Sequence, residues 1–222
     1  MSVRLTVNHR SAVLALLAAV VTGCAPAADD TEAPFLLQFP IAERELLLDN
    51  VMGFDHDPES YTGFENIYCT NYDGESYPLC YDDHSGTDFD LIDGFETMDA
   101  GSATVIAAAD GEVVTVIDEH YDRCQVADGS LEVDCDGHPM KANTVVIAHP
   151  SGYTTSYLHL MQDSAMVSVG DVVEAGAPLA LVGSSGYSFA PHLHFGLESP
   201  EGEILDPYAG AFSQPDSYWC GQ

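Results

Sequence analysis

Thr104-Val105-Ile106-Ala107-Ala108-Ala109-Asp110-Gly111-Glu112-Val113-Val114-Thr115-Val116-Ile117-Asp118 decides the fold class of this chain. Residues 104–109 and 112–118 are short runs rich in β-branched side chains, which fit a pleated, half-buried backbone. Asp110-Gly111 between them is a strong hairpin signal, because a two-residue turn needs positive φ angles that Asp and Gly tolerate. Working outward, residues 144–149, 153–158, 171–173, 179–182 and 192–197 repeat the pattern, punctuated by Gly, Pro, Asn, Asp and Ser. Ser151-Gly152 marks a second turn. No segment sustains a 3.6-residue period, and residues 41–52 read as one short helix. Many short strands with regular turns indicate an all-β domain of sandwich or barrel type with irregular loops. There is no internal repeat and no second domain.

Two strings within this framework carry chemistry. In His192-Leu193-His194 the imidazoles stand two residues apart, so on a strand they project from one face. His84-Ser85-Gly86-Thr87-Asp88 offers two further donors four residues apart. His84, Asp88 and His194 can supply two nitrogens and one oxygen to a zinc ion, with a fourth position left for water. Such a water ionises near neutrality, and the metal also polarises a carbonyl. Peptide hydrolysis then needs groups that move protons and stabilise the oxyanion. His192, beside His194, and His159, at the end of another predicted strand, can serve if the fold brings them together.

The chain begins with a leader. Arg4 and Arg10 give residues 1–23 a positive start, and residues 12–21 are apolar over the length of a signal-peptide core, too short to span a bilayer. The leader ends Val21-Thr22-Gly23-Cys24, which resembles a bacterial lipobox with Cys24 as the lipidated first residue of the exported chain. Two or more acyl chains there would anchor the protein to a membrane. Ala25, by resemblance to enterobacterial lipoproteins, directs it to the outer membrane facing the periplasm. Residues 24–36, rich in Ala, Pro and acids, read as a flexible tether, and residues 37–222 as the folded domain.

Composition restricts the partners. Five Lys and Arg stand against 36 Asp and Glu in 222 residues, a formal charge of −31. Phosphate contacts need Lys and Arg, so nucleic acid is excluded as a partner, as is attraction to anionic lipid head groups. The acidity suits a solvated surface in salty surroundings. With Cys24 assigned to lipid, the simplest pairing in an exported chain is Cys69 with Cys80 and Cys124 with Cys135, leaving Cys220 as the odd cysteine. The polar segment 118–142, which holds Cys124 and Cys135, reads as a surface insertion between two strands. Its acids match no EF-hand spacing, so a solvated loop is preferred to a calcium site. Residues 50–83 are similarly irregular, lead into His84, and are expected to form one wall of a cleft.

The text around the two strings raises their specificity. His84-Ser85-Gly86-Thr87-Asp88-Phe89, Ala107-Ala108-Ala109-Asp110-Gly111-Glu112-Val113-Val114 and Asn143-Thr144-Val145-Val146-Ile147-Ala148-His149 are joined by Gly152-Tyr153-Thr154-Thr155-Ser156-Tyr157-Leu158-His159-Leu160 and Val169-Gly170-Asp171-Val172-Val173. Gly183-Ser184-Ser185-Gly186-Tyr187-Ser188, Pro191-His192-Leu193-His194-Phe195 and Asp206-Pro207 complete the set. In content and order, over about residues 83–208, these strings resemble the lysostaphin/LytM family of zinc metallopeptidases, which cleave peptide cross-links in peptidoglycan. The resemblance implies an antiparallel β-sheet core with one zinc per chain in a groove. It implies that His84, Asp88 and His194 ligate the metal. It implies that His159 and His192 are the non-ligand catalytic histidines, which orient or activate the water and stabilise the tetrahedral intermediate. Peptidoglycan is the implied substrate, and no protein partner follows. Some members of the family lack site residues and activate cell-wall amidases; all five residues are present here. A zinc peptidase acting on proteins is a further alternative, since the motif encodes chemistry and not substrate.

Departures from the family pattern are expected to matter unequally. Segment 118–142 is longer than the usual turn. Gly196 replaces an acidic residue common after the His-Leu-His-Phe string, with little effect expected. His56, His120 and His138 lie in polar stretches and are expected to be solvated. His149 is expected to form structural hydrogen bonds. Tyr187 and Ser185 are expected to line the groove.

Overall fold

A computed structural model of the chain describes residues 35–56, 83–127, 132–210 and 213–221. The strand that carries His192 and His194 is an interior strand of its large sheet. The elements in chain order are β1 (Leu47–Met52), β2 (Thr87–Leu91), helix α1 (Phe95–Asp99), β3 (Thr104–Ile106), β4 (Gly111–Ile117), β5 (Gln125–Val126) and β6 (Val133–Asp134). There follow β7 (Thr144–Ala148), β8 (Thr154–Leu158), β9 (Val172–Val173), β10 (Pro178–Leu181), β11 (His192–Glu198) and β12 (Ile204–Leu205). The large sheet runs β1-β2-β11-β8-β7-β4-β9, with β12 also paired to β11. All its pairings are antiparallel. Two small sheets, β10-β3 and β5-β6, flank it. The all-β, antiparallel expectation is met.

One face of the large sheet is the core. Period-2 alternation turns Leu193, Phe195 and Leu197 of β11, Phe89 and Leu91 of β2, Val145 and Ile147 of β7 and Tyr157 of β8 inward, where all are buried. Trp219, near the C-terminus, packs its ring 5.1 Å from Phe195 and 5.5 Å from Tyr208. Each such side chain contributes about 1.5–3 kcal/mol by leaving water. The opposite face of β2 and β11 is thereby left to Asp88, Asp90, His192 and His194. Phe35, expected at the end of the tether, stacks on Tyr153 with ring centroids 4.5 Å apart.

Two local expectations fail for identifiable reasons. The Asp110-Gly111 hairpin does not form: β3 pairs with β10, and β4 pairs with β7 and β9. Ala107, Ala108 and Ala109 are buried where the chain passes from the small sheet to the large one. Their backbone is already engaged. Ala108 N–H donates to the Tyr157 hydroxyl at 2.8 Å, and Ala107 exchanges hydrogen bonds with residues 176 and 177. Gly111 does not have a positive φ. It serves close packing instead, since a Cβ there would stand 2.5 Å from Ile147 Cγ2 and 2.6 Å from the Ala148 oxygen.

The helix expected over residues 41–52 is a single 3₁₀ turn, Arg44–Leu46, followed by β1. Pairing with β2, in the register Leu47↔Leu91 and Met52↔Asp88, overrides local propensity. Cys220 is disulfide-bonded rather than the odd cysteine. The Cys124–Cys135 bridge is present, whereas Cys69, Cys80 and Cys24 lie outside the described residues. The second turn is found: Gly152 N–H donates to the His149 carbonyl between β7 and β8. No described helix is long and apolar enough to cross a membrane.

Candidate metal centre

Register builds the site. In the β2–β11 ladder His194 stands opposite Asp88 and His192 opposite Asp90. On the other side of β11, His194 pairs with Leu158 at the end of β8. The next residue, His159, has φ +62°, a backbone state rare for non-glycine residues and frequent at functional sites. That turn directs its ring back over the sheet, 4.6 Å from the His192 ring and 5.9 Å from the His194 ring between centroids. His84 reaches the same place from just ahead of β2. All five residues named from the sequence are thus brought together. His84, Asp88, His159 and His192 are buried and His194 nearly so.

Three of the five form a donor set. His194 Nδ1 lies 2.8 Å from Asp88 Oδ1, and His84 Nε2 lies 3.2 Å from Asp88 Oδ1 and 3.2 Å from His194 Nδ1. Donors on a tetrahedral zinc with bonds of about 2.0–2.1 Å are separated by about 3.3 Å, so the spacing fits a small divalent ion. His84 Nδ1 donates to the Gly53 carbonyl at 2.6 Å. That bond fixes the ring so that Nε2 faces the other donors, the outer-shell support metal-binding histidines need. Burial alone would push the Asp88 carboxyl up. The surrounding His192, His194 and His84 outweigh it and hold Asp88 well below the usual carboxylate range. Burial depresses His84, but the Asp88 hydrogen bond and charge prevail and raise it. An anionic oxygen and two imidazole nitrogens suit zinc. Among the described residues no other His, Cys, Asp and Glu group is so disposed, so the acids of the insertion form no second cluster there.

The other two histidines stand beside this set with fixed tautomers. His159 Nδ1 donates to the Ser185 carbonyl at 2.6 Å, so Nε2 keeps its lone pair. Burial and the neighbouring His192 lower its pKa to about 3, so the ring is neutral at physiological pH. His192 Nδ1 donates to the Ala190 carbonyl at 2.7 Å, and its Nε2 lies 3.7 Å from Asp88 Oδ2.

A cavity of about 320 Å³ opens next to His192, walled by Leu48, Met52, Leu91, Tyr187, Phe189 and Pro191. Asp90 is the second carboxylate on its lining after Asp88, and burial raises its pKa. Met52 belongs to the segment expected to form a cleft wall. Residues 57–82 lie outside the described residues. Tyr187 lines the cavity as expected, but Ser185 does not. It is fully buried, donates to the Leu160 carbonyl at 2.9 Å, and receives Asn143 N–H at 2.9 Å.

Ser184, Ser188 and Asn143 are site-supporting residues that sequence reasoning passed over, and Ser185 supports the site from the interior rather than lining the groove. The Gly183-Ser184-Ser185-Gly186 string and Asn143 were visible, but nothing local says which histidine they would touch. His149 has its structural role: Nδ1 donates to the Asp110 carbonyl at 2.8 Å and Nε2 meets the Thr155 hydroxyl at 2.9 Å. His56 is not simply solvated, since its Nε2 lies 2.8 Å from Asp206 Oδ2. His138 stacks on Tyr121. The glycine at 196 also has a reason: a Cβ there would collide with the Ser156 hydroxyl across the β8–β11 ladder.

Known proteins are similar to parts of this chain. Peptidoglycan DD-endopeptidase ShyB of Vibrio cholerae is 35% identical over 112 residues, which are 50% of this chain and 20% of that protein. Murein hydrolase activator EnvC of Escherichia coli is 43% identical over 63 residues, 28% of this chain and 14% of that protein. The chain therefore spans a fifth or less of the length of these relatives. The crystal structure of a zinc-containing peptidase from Vibrio cholerae is 26% identical and covers 77% of this chain and 39% of that one, with a TM-score of 0.46. Residues 83–207, which contain all five site residues, match the family model described as Peptidase family M23, and the chain belongs to that family.

Proposed function

We propose that the protein is a zinc-dependent endopeptidase that hydrolyses peptide bonds in the stem peptides or cross-links of peptidoglycan. One observation carries the reading: three metal donors within 3.2 Å of one another stand beside two non-ligand histidines with fixed tautomers. His84 Nε2, Asp88 Oδ1 and His194 Nδ1 would hold the zinc. When bound, zinc lowers the pKa of a coordinated water and polarises the scissile carbonyl. The neutral His159 offers its Nε2 lone pair to a proton, and His192 stands close enough to Asp88 to share its charge. The cavity beside His192, walled mostly by apolar side chains, offers room for a substrate segment. The similarity to ShyB supports peptidoglycan as the substrate. The leader-like residues 1–23 and Cys24 support export and lipid anchoring in the cell envelope, facing the periplasm. Labelled fatty acid should be incorporated into the wild-type chain in cells and not into Cys24→Ser.

Purified protein should clear cell-wall material and release peptide fragments that mass spectrometry assigns to one bond type. A chelator should stop the release and added zinc restore it. The similarity to EnvC favours a second reading, a non-catalytic activator of wall amidases. On that reading the purified protein releases nothing alone, and it stimulates an amidase equally well with and without metal.

A further inference from the structure

The insertion between β4 and β7 is bonded to the loop that aims both non-ligand histidines. Residues 183–190 carry the Ser185 carbonyl that orients His159 and the Ala190 carbonyl that orients His192. The insertion grips this loop through its backbone. Cys124 N–H donates to the Ser184 carbonyl at 2.9 Å, Ser184 N–H to the Asp122 carbonyl at 3.1 Å, and Val126 N–H to the Phe189 carbonyl at 3.0 Å. A side-chain relay runs inward from the same point. Ser184 Oγ donates to the Cys124 carbonyl at 2.6 Å and lies 2.8 Å from Ser188 Oγ, whose own hydroxyl donates at 2.8 Å to the Ala190 carbonyl that orients His192. Ser188 Oγ stands 3.2 Å from His192 Nδ1. Ser184, Ser185 and Ser188 are all fully buried, so none of these bonds competes with water. The disulfide Cys124–Cys135 closes the insertion at the residue where the relay ends. Gly186, at φ +78°, lets the far end of the insertion approach, since a Cβ there would stand 2.8 Å from Ala142 N.

We propose that the disulfide-closed insertion is a positioning device for His159 and His192, with Ser184 and Ser188 as positioning residues. The inference rests on the peptidase reading above, and its test separates the two. The holoprotein is compared as wild type, Ser184→Ala, Ser188→Ala, and Cys124→Ser with Cys135→Ser. Three quantities are measured on each: kcat and KM on defined cross-linked peptides, bound zinc, and the imidazole ¹⁵N signals of His159 and His192. Misplacing a proton-handling group by about 1 Å lowers the rate on the order of 100-fold. The expected result is a fall of that size in kcat with KM and zinc content unchanged, and with imidazole signals averaged between tautomers in place of the single Nδ1–H form. Wild-type kcat and wild-type imidazole signals in the variants overturn the proposal, as does a fall in kcat that tracks loss of zinc. The two serine variants leave the disulfide closed, so they decide the matter if the cysteine variant fails to fold. An inactive wild type defeats the peptidase reading alone, since the imidazole signals still report on positioning.

Discussion

Asp88 and His194 face each other across a β-ladder, whereas His159 and His192 take their orientation from loop carbonyls. The first arrangement is set by register: a slip of one residue would turn every side chain to the other face, and the buried Phe89, Leu193 and Phe195 forbid it. The second depends on a chain segment with no ladder of its own, held by serine hydroxyls and a disulfide-closed insertion. A donor set must keep its distances to a few tenths of an ångström, and a sheet supplies that. Proton-handling groups need a fixed tautomer, and a buried carbonyl supplies that.

The largest effects should come from breaking the ladder half. Asp88→Ala or His194→Ala should abolish zinc binding by elemental analysis and lower wall hydrolysis on the order of a thousandfold or more, since several kcal/mol of transition-state stabilisation go with the metal. Tight zinc binding by His194→Ala would break the assignment of ligands. In the loop half, His159→Ala and His192→Ala should keep one zinc per chain and still lose about 10²- to 10⁴-fold in kcat, the usual yield of general acid–base groups. Parallel loss of zinc would erase the distinction between the halves.

Gly86→Ala tests the ladder from the side. A Cβ at Gly86 would stand 2.6 Å from His194 Nε2 and 2.6 Å from the Phe195 oxygen, and the backbone contact cannot rotate away. A loss of about 1–3 kcal/mol in denaturant unfolding is expected, together with weaker zinc affinity. Further from the site, His149 is neutral in the fold because burial lowers its pKa below 6.5. As pH falls below 6.5, the unfolded chain binds a proton that the folded chain does not, so this histidine subtracts stability on the acid side only. Melting temperature should therefore drop more steeply between pH 7 and pH 5 in the wild type than in His149→Asn. Equal slopes would remove this role for His149. The smallest effect belongs to the charge of −31: raising salt to half molar should lift the melting point by a few degrees through screening.

Much of the fold was legible because burial imposes period-2 alternation on the strands it covers. Residues 144–149, 153–158 and 192–197 correspond to β7, β8 and β11 within a residue at each end. Two strands on the site's flank were not legible. Thr87-Asp88-Phe89-Asp90-Leu91 alternates too, but over five residues inside an acidic stretch. Residues 47–52 read as helical because leucines at 46, 47 and 48 fit either period. The Asp-Gly signal misled because turn propensity is local, while Tyr157, 49 residues away, had already taken the Ala108 N–H. The five site residues were legible through their flanking strings. Their supporting serines were not, because a hydroxyl's partner depends on which loop folds against it.

By itself the sequence determined which residue types could hold a metal and move protons, and that His192 and His194 share a face, because strand periodicity is a property of the local chain. It also determined the acidity and the presence of a cysteine-bearing insertion. Only the tertiary structure decided that Asp88 lies opposite His194, that residues 104–106 and 111–117 enter different sheets, and that Cys124 is tied through Ser184 and Ser188 to His192. These are pairings between distant segments. Alternation specifies a buried face but not the strand it will meet, and long-range packing settles the partner.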